Sequence, residues 1–135
     1  MAGLTYLLDT DMMVEIIRGD AAKVRRRLNE QEGRVAVSSI SVTELAYATL
    51  RSGAPDTNAL AVEQVLDQLS VLPFDEAAAR QAGAVRAELA TRGQPIGPYD
   101  VLIAGHARSL GLVLASGNVR EFRKVRGLEV ENWRH

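Results

Sequence analysis

The stretch YLLDTDMMVE, Tyr6 to Glu15, runs from an apolar strand-like segment into two carboxylates one residue apart. The end of a buried strand is a costly place for charge. A carboxylate taken out of water without a partner is destabilising or shifts its pKa. Asp9 and Asp11 therefore either cap the helix that follows or hold something cationic. Leu4–Asp9 reads as a short strand, and MMVEIIRG continues as a helix stopped by Gly19.

Working outward, strands and helices alternate. Asp20–Gln31 reads as a helix capped by Asp20, and Arg34–Ile40 as a valine-rich strand. Ser41–Gly53 reads as a helix with Leu45, Ala46 and Leu50 on one side. Asp56–Ser70 carries Leu60, Val62, Val65, Leu66 and Leu69 at helical spacing. Val71–Phe74 is a short strand, and Pro73 suggests a sheet edge or strand end. Asp75–Gly93 is an alanine-rich helix. QPIGP is a turn into a helix from about Pro98 to Leu110, stopped by Gly111. Leu112–Ser116 is the last central strand, VREFRKV a short helix, and Leu128–Trp133 an edge strand. The alternation predicts an α/β fold, with a mostly parallel sheet covered by helices on both faces. In such folds the reactive edge lies where the strands' C-terminal ends meet the following helices. Asp9 lies on that edge, as does Ser116-Gly117-Asn118.

A chain of 135 residues fits one domain, 1–135. Its net charge of −1 neither favours nor excludes nucleic acid. Cysteine is absent, which removes disulfides, thiolate zinc sites and cysteine nucleophiles. With only His106 and His135 available, any metal is expected to be hard and oxygen-ligated, such as Mg²⁺ or Mn²⁺. No segment reads as a signal peptide or a membrane span, so a cytoplasmic protein is expected.

Each acid at a helix start has a structural explanation. Asp9 or Asp11 would serve as an N-cap. Ser41 and Glu44 fit a capping box. Asp100 follows Pro98 in a first helical turn, where the macrodipole favours a carboxylate. Asp75 and Glu76 also open a helix and are read as caps. Position separates these acids: Asp9 and Glu44 lie at strand-to-helix junctions on the same edge, and IGPY is a stiff turn before Asp100. Two carboxylates about 4–5 Å apart repel by roughly 3–4 kcal/mol at an effective dielectric of 20. If three converge, a divalent cation is the ordinary counter-ion.

At these residues the chain resembles the PIN-domain ribonucleases, and most closely the VapC toxins of bacterial toxin–antitoxin pairs. YLLDTD resembles the family's opening strand, with Asp9 as first metal-binding acid. SSISVTELAYA resembles the second motif, with Glu44 as its acid. IGPYDVLIAGHARSLG resembles the third, with Asp100. LVLASGNVREFRKVRGLEVENW resembles the closing segment, commonly Thr-Asn-Asp or Thr-Asn-Asn followed by Arg-Glu-Phe. The likeness spans the chain in order. It implies a three-layer PIN-like fold with catalytic Asp9, Glu44, Asp100 and Asn118, and metal ligands Asp9 and Asp100. It further implies Mg²⁺- or Mn²⁺-dependent cleavage of RNA, commonly tRNA or ribosomal RNA. Water activated by the metal would leave a 5′-phosphate and a 3′-hydroxyl. The expected partners are RNA, a second copy in a homodimer, and a VapB-type antitoxin.

The closing motif departs from that pattern. Asn118 stands for the fourth acid, and Ser116 and Gly117 for Thr and Asn. Ser116 keeps a hydroxyl able to bond a carboxylate or a metal-bound water, whereas Gly117 is expected to loosen the loop. Glu121 would supply a carboxylate through water. Asp11 is read as a cap or outer-shell group. His106, six positions after Asp100, is expected at the surface.

Charge is clustered. Arg18, Lys23, Arg25, Arg26 and Arg27 stand against Asp20, and Arg120, Arg123, Lys124 and Arg126 against Glu121. The second cluster follows the Asn118 loop and is favoured for RNA phosphates over a merely solvated helix face. Aromatics are few, which makes base stacking a minor expectation.

Two alternatives compete. DTDMM brushes against the Asp-x-Asp start of haloacid-dehalogenase phosphatases, and a receiver domain would use Asp9, Asp11 and Asp75. Both want a lysine after a later strand, and ENWRH has none. The other alternative is a PIN-fold binding module that cuts nothing; retention of Asp9, Glu44 and Asp100 argues against it.

Overall fold

The structure is a computed structural model and describes residues 3–19 and 21–134. Asp20, expected as a helix cap, and His135 lie outside the described residues. Among the described residues, five strands form one sheet: β1 (Tyr6–Leu8), β2 (Val35–Ser38), β3 (Ser70–Leu72), β4 (Val113–Ser116) and β5 (Val130–Asn132). Their spatial order is β3-β2-β1-β4-β5, and every neighbouring pair is parallel. The two short strands expected at edges, β3 before Pro73 and β5, are the edges.

Seven helices connect them: α1 (Thr10–Arg18), α2 (Ala22–Glu30), α3 (Ser39–Leu50), α4 (Pro55–Leu66), α5 (Glu76–Thr91), α6 (Pro98–Leu110) and α7 (Val119–Phe122). Alternate strand residues point to opposite sheet faces. Leu7, Ala36 and Leu114 pack with Val85 and Leu89 of α5, Ile103 and Ala107 of α6, and Phe122 of α7. Leu8, Val37 and Ala115 pack the other way, with Met12 and Ile16 of α1, Val24 and Leu28 of α2, Leu45 of α3 and Val65 of α4. Two cores on the two faces of one sheet make three layers, α/β/α. Trp133 is buried in the second core, its ring edge-on to Tyr6 at a centroid distance of 5.2 Å. Among the described residues no helix is long and apolar enough to cross a membrane.

The chain steps from β1 outward to β2 and β3, then returns to lay β4 against the other side of β1. The connections diverge between β1 and β4, the point where sheets of this kind bind ligands beyond the strands' C-terminal ends. Asp9 and the Ser116-Gly117-Asn118 loop lie at that point, and the Asp9 N–H donates to Ala115 O at 2.9 Å.

Several local expectations are corrected. β2 ends at Ser38, whose hydroxyl accepts from the Ile40 N–H at 3.1 Å and caps α3. Ser41 is thus already inside the helix, and the Ser41–Glu44 capping box does not form at the helix start. Leu50 on α3 and Leu60 on α4 are exposed, at 76% and 61%, despite their helical spacing. Leu45 and Val65 are the buried apolar residues of those two helices, because α4 packs on α1 and α3 rather than on the sheet. Asp75 behaves as read: it caps α5 by accepting from the Ala78 N–H at 2.9 Å.

Candidate active site

Asp9 holds the backbone position of an N-cap, yet its carboxylate makes no cap hydrogen bond. It turns instead toward β4, where Ser116 Oγ donates to Asp9 Oδ2 at 2.9 Å. Ser116 is fully buried, and its oxygen also accepts the Asn118 N–H at 2.9 Å. One hydroxyl thus fixes both the first acid and the loop carrying Asn118. Asp9 is only 3% exposed. Burial pushes its carboxyl up to about 7 against the Ser116 bond, and the charges of Asp11 and Asp100 push it further the same way.

Glu44 is held from α1. Thr10, the residue after Asp9, donates its hydroxyl to Glu44 Oε1 at 2.8 Å and shares a 2.7 Å hydrogen bond with Ser41 Oγ. The Ser41-x-x-Glu44 pair therefore serves a buried side-chain network rather than the helix end. Thr10 was not among the expected site residues; its signal was its place between two acids of the opening motif.

Asp100 lies in the first turn of α6, which Pro98 starts. A Cβ on Gly97 would stand 3.2 Å from Asp100 Oδ2, so this turn leaves the carboxylate room. Burial pushes Asp100 up to about 6, followed by repulsion from Asp11, Glu44 and Glu121. Periodicity alone could not bring these acids together. The fold sets Asp9, Asp11, Glu44, Asp100 and Glu121 within electrostatic reach through Asp9 and Asp100. Among the described residues, however, no group of three or more acidic or histidine side chains gathers closely enough to enclose a metal ion. Asp9 and Glu44 each have an oxygen engaged by a hydroxyl.

Asn118 is exposed at the start of α7, and its side chain makes no cap bond there. Asp11 is exposed on α1. Glu121 pairs with Lys124 at 3.2 Å, so Lys124 is held against an acid. Arg120, Arg123 and Arg126 are exposed. Gly117, expected to loosen its loop, is covered by a side chain from elsewhere in the chain. The guanidinium of Arg134 lies against it, and Arg134 Nε and Nη2 grip Glu15 of α1 at 2.6–3.1 Å. His106 is buried, not at the surface: its Nδ1 shares a 2.8 Å hydrogen bond with Ser38 Oγ, and its ring meets Phe74 edge-on. Burial lowers its pKa.

The profile of the family described as PIN domain matches residues 6–128. The chain belongs to the PIN-domain family. This PIN domain is 42% identical over 130 residues to the tRNA(fMet)-specific endonuclease VapC of Shigella flexneri, covering 96% of this chain and 98% of that one. It is 40% identical to ribonuclease VapC2 of Haemophilus influenzae over the same shares. Among solved structures it resembles a chain of DNA-bound VapBC from Salmonella typhimurium, with a TM-score of 0.93, 42% identity, and coverage of 96% and 98%. A chain of VapBC2 from Rickettsia felis, bound to a fragment of its promoter DNA, gives 0.91 at 30% identity, covering 96% and 99%. The kinship with VapC proteins thus runs along the whole length of this PIN domain, and the alternative folds of phosphatase and receiver fall away.

Proposed function

We propose that this chain is the ribonuclease half of a toxin–antitoxin pair, a divalent-metal-dependent endonuclease whose substrate is tRNA. The observation that carries the mechanism is the electrostatic meeting of Asp9 and Asp100 where the connections of β1 and β4 diverge. Each is pushed up by burial and by the other acids. Such a pair is poised for a counter-ion. The donors are all oxygen, which suits Mg²⁺ or Mn²⁺. Asp9 and Asp100 would hold the ion, with Asn118 Oδ1 as a neutral neighbour. A divalent ion bound there would lower the pKa of an attacking water and offset charge on the phosphate.

The chain's own residues do the rest. Ser116 orients Asp9, and Thr10 holds Glu44 by one oxygen. Asp11 and Glu121 add negative charge at the rim. Arg120, Arg123 and Arg126 would take flanking phosphates, with Lys124 released from Glu121 as RNA arrives. Hydrolysis would leave a 5′-phosphate and a 3′-hydroxyl. Kinship with tRNA(fMet)-specific endonucleases favours initiator tRNA over ribosomal RNA. The structural relatives in VapBC complexes favour a VapB-type antitoxin as partner and the cytoplasm as the setting. Residues 1–135 would act as one PIN unit, paired with a second copy.

The test is expression of the chain alone, with and without Asp9→Asn or Asp100→Asn, alongside cleavage of purified initiator tRNA in Mn²⁺. Growth arrest by the parent and recovery with either variant is expected. Equal toxicity of all three would sink the metal-nuclease reading, and a harmless parent that cuts no RNA would favour the inactive binding module.

A further inference from the structure

We infer that Arg134 is a positioning residue for the active-site loop: its guanidinium takes the space of a side chain at position 117 and ties the Ser116-Gly117-Asn118 loop to α1 through Glu15. The geometry stands alone; its consequence for catalysis rests on the nuclease reading above.

A Cβ on Gly117 would stand 2.6 Å from Arg134 Cζ and Nε and 2.7 Å from Nη1. Real Cβ atoms do not come so close, so a side chain at 117 would oblige the guanidinium to move from its place. Arg134 is held in that place by Glu15. Its Nε lies 3.0 and 3.1 Å from the two Glu15 oxygens, and its Nη2 lies 2.6 Å from Glu15 Oε2. This two-pronged grip suits the planar fork of arginine. The backbone is held as well: the Arg134 N–H donates to Asn132 Oδ1 at 2.9 Å. The preceding Trp133 is buried, and its N–H donates to Ser116 O at 3.1 Å. The third prong, Nη1, faces Gly117 O at 3.5 Å.

The loop so covered carries the two groups that matter. Ser116 holds Asp9, and the Asn118 N–H returns to Ser116. Glu15 sits on the helix that starts at Asp9 and Thr10. Arg134 thus closes a ring running from α1 through Glu15, across the loop, through Ser116 and back to Asp9. The attraction of Asp11 and Asp9 adds to the Glu15 bond in holding the guanidinium charged. An arginine from beyond β5 occupies the volume a side chain at 117 would enter, and the glycine leaves room for it.

The test is a double-mutant cycle between Gly117→Asn and Arg134→Ala, with Arg134→Lys as a charge-keeping control. Two readouts are taken: kcat and KM for RNA cleavage in Mn²⁺, and hydrogen exchange of the Asn118 amide. Arg134→Ala should lower kcat about tenfold with KM little changed, since small misplacements of catalytic groups have large effects. It should also speed exchange of the Asn118 amide. Arg134→Lys, which lacks the fork, should behave like alanine. Gly117→Asn should be harmful in the parent and recover when Arg134→Ala is added, a coupling expected only of groups in contact. Unchanged kcat and exchange in Arg134→Ala, or losses from the two substitutions that simply multiply, would overturn the proposal. A parent that cuts no RNA defeats the nuclease reading instead, and amide exchange alone then decides the loop.

Discussion

Ser116 Oγ donates a 2.9 Å hydrogen bond to Asp9 Oδ2 across 107 residues of chain. It joins β4 to the end of β1 at the point where the sheet's connections diverge. The same oxygen accepts from the Asn118 N–H, so two polar groups depend on one buried hydroxyl.

Ser116→Ala should therefore do more than remove one bond. It strips away the side-chain hydrogen bond that favours ionised Asp9, and it leaves a backbone donor without its acceptor. Losing a partner for buried polar groups costs about 1–3 kcal/mol. Thermal unfolding should show that loss. Ser116→Thr, which keeps the hydroxyl, should retain most of the cleavage rate. A Ser116→Ala variant with parental stability and rate would remove this serine from the site.

Charge at Asp9 works against the fold. Its carboxyl is pushed from the ordinary 3.8 up to about 7, so between those values the folded chain binds a proton that the unfolded chain has released. The ion-free fold consequently gains stability as pH falls from about 7 toward 4, and loses it as pH rises. Asp100, pushed up to about 6, acts in the same direction. His106 acts oppositely: burial lowers its pKa, so the fold loses stability as acid charges the unfolded imidazole. Comparing the parent with Asp9→Asn cancels the histidine and isolates the aspartate. In EDTA at pH 8, Asp9→Asn should be the more stable, by at most about 4 kcal/mol for roughly three pKa units. The gap should close by about pH 4–5. Melting curves across that range measure it, and a flat gap would mean that Asp9 is not the titrating group.

The cations differ in what they are free to do. Lys124 is paired with Glu121, whereas Arg120 and Arg123 are exposed beside the Asn118 loop. Arg120→Ala with Arg123→Ala should weaken RNA binding across sequences. The log–log salt slope should flatten by about 1–2, near 0.7 for each single-strand phosphate that is no longer neutralised. Filter binding at several salt concentrations measures this directly, and an undiminished slope would assign both arginines to solvent.

The sequence made the layered fold legible because its punctuation is local. Gly19 and Gly111 stop α1 and α6, Pro98 starts α6, and Pro73 marks the edge of β3. The order of the acids pointed to the candidate site. What escaped was long-range. Thr10 reaches Glu44 over 34 residues, and Arg134 reaches Glu15 over 119; neither contact leaves a periodic trace. His106 shows the limit of helical phase. Six residues from Asp100 it does turn away from that acid, but the direction it turns to is inward, toward Ser38 at the end of β2. The glycine at 117 read as looseness, because nothing in the local sequence announces the arginine that covers it.

Asn118 carries the last prediction. It starts α7 without spending its side chain on a cap bond. Its amide oxygen is a neutral donor where the family pattern commonly has a carboxylate. A neutral oxygen should bind a divalent ion less strongly than a charged one. The parent should hold one ion well, through Asp9 and Asp100, and a second only weakly or with the help of an RNA phosphate. Asn118→Asp should raise affinity, most visibly for the second ion. An aspartate at a helix start also strengthens the helix by itself. Thermal stability is therefore the wrong readout, and titration calorimetry with Mn²⁺ in the absence of RNA is the right one. Two tightly bound ions in the parent, or affinities unmoved by the substitution, would place Asn118 outside the ion site and leave it as a loop residue held by Ser116.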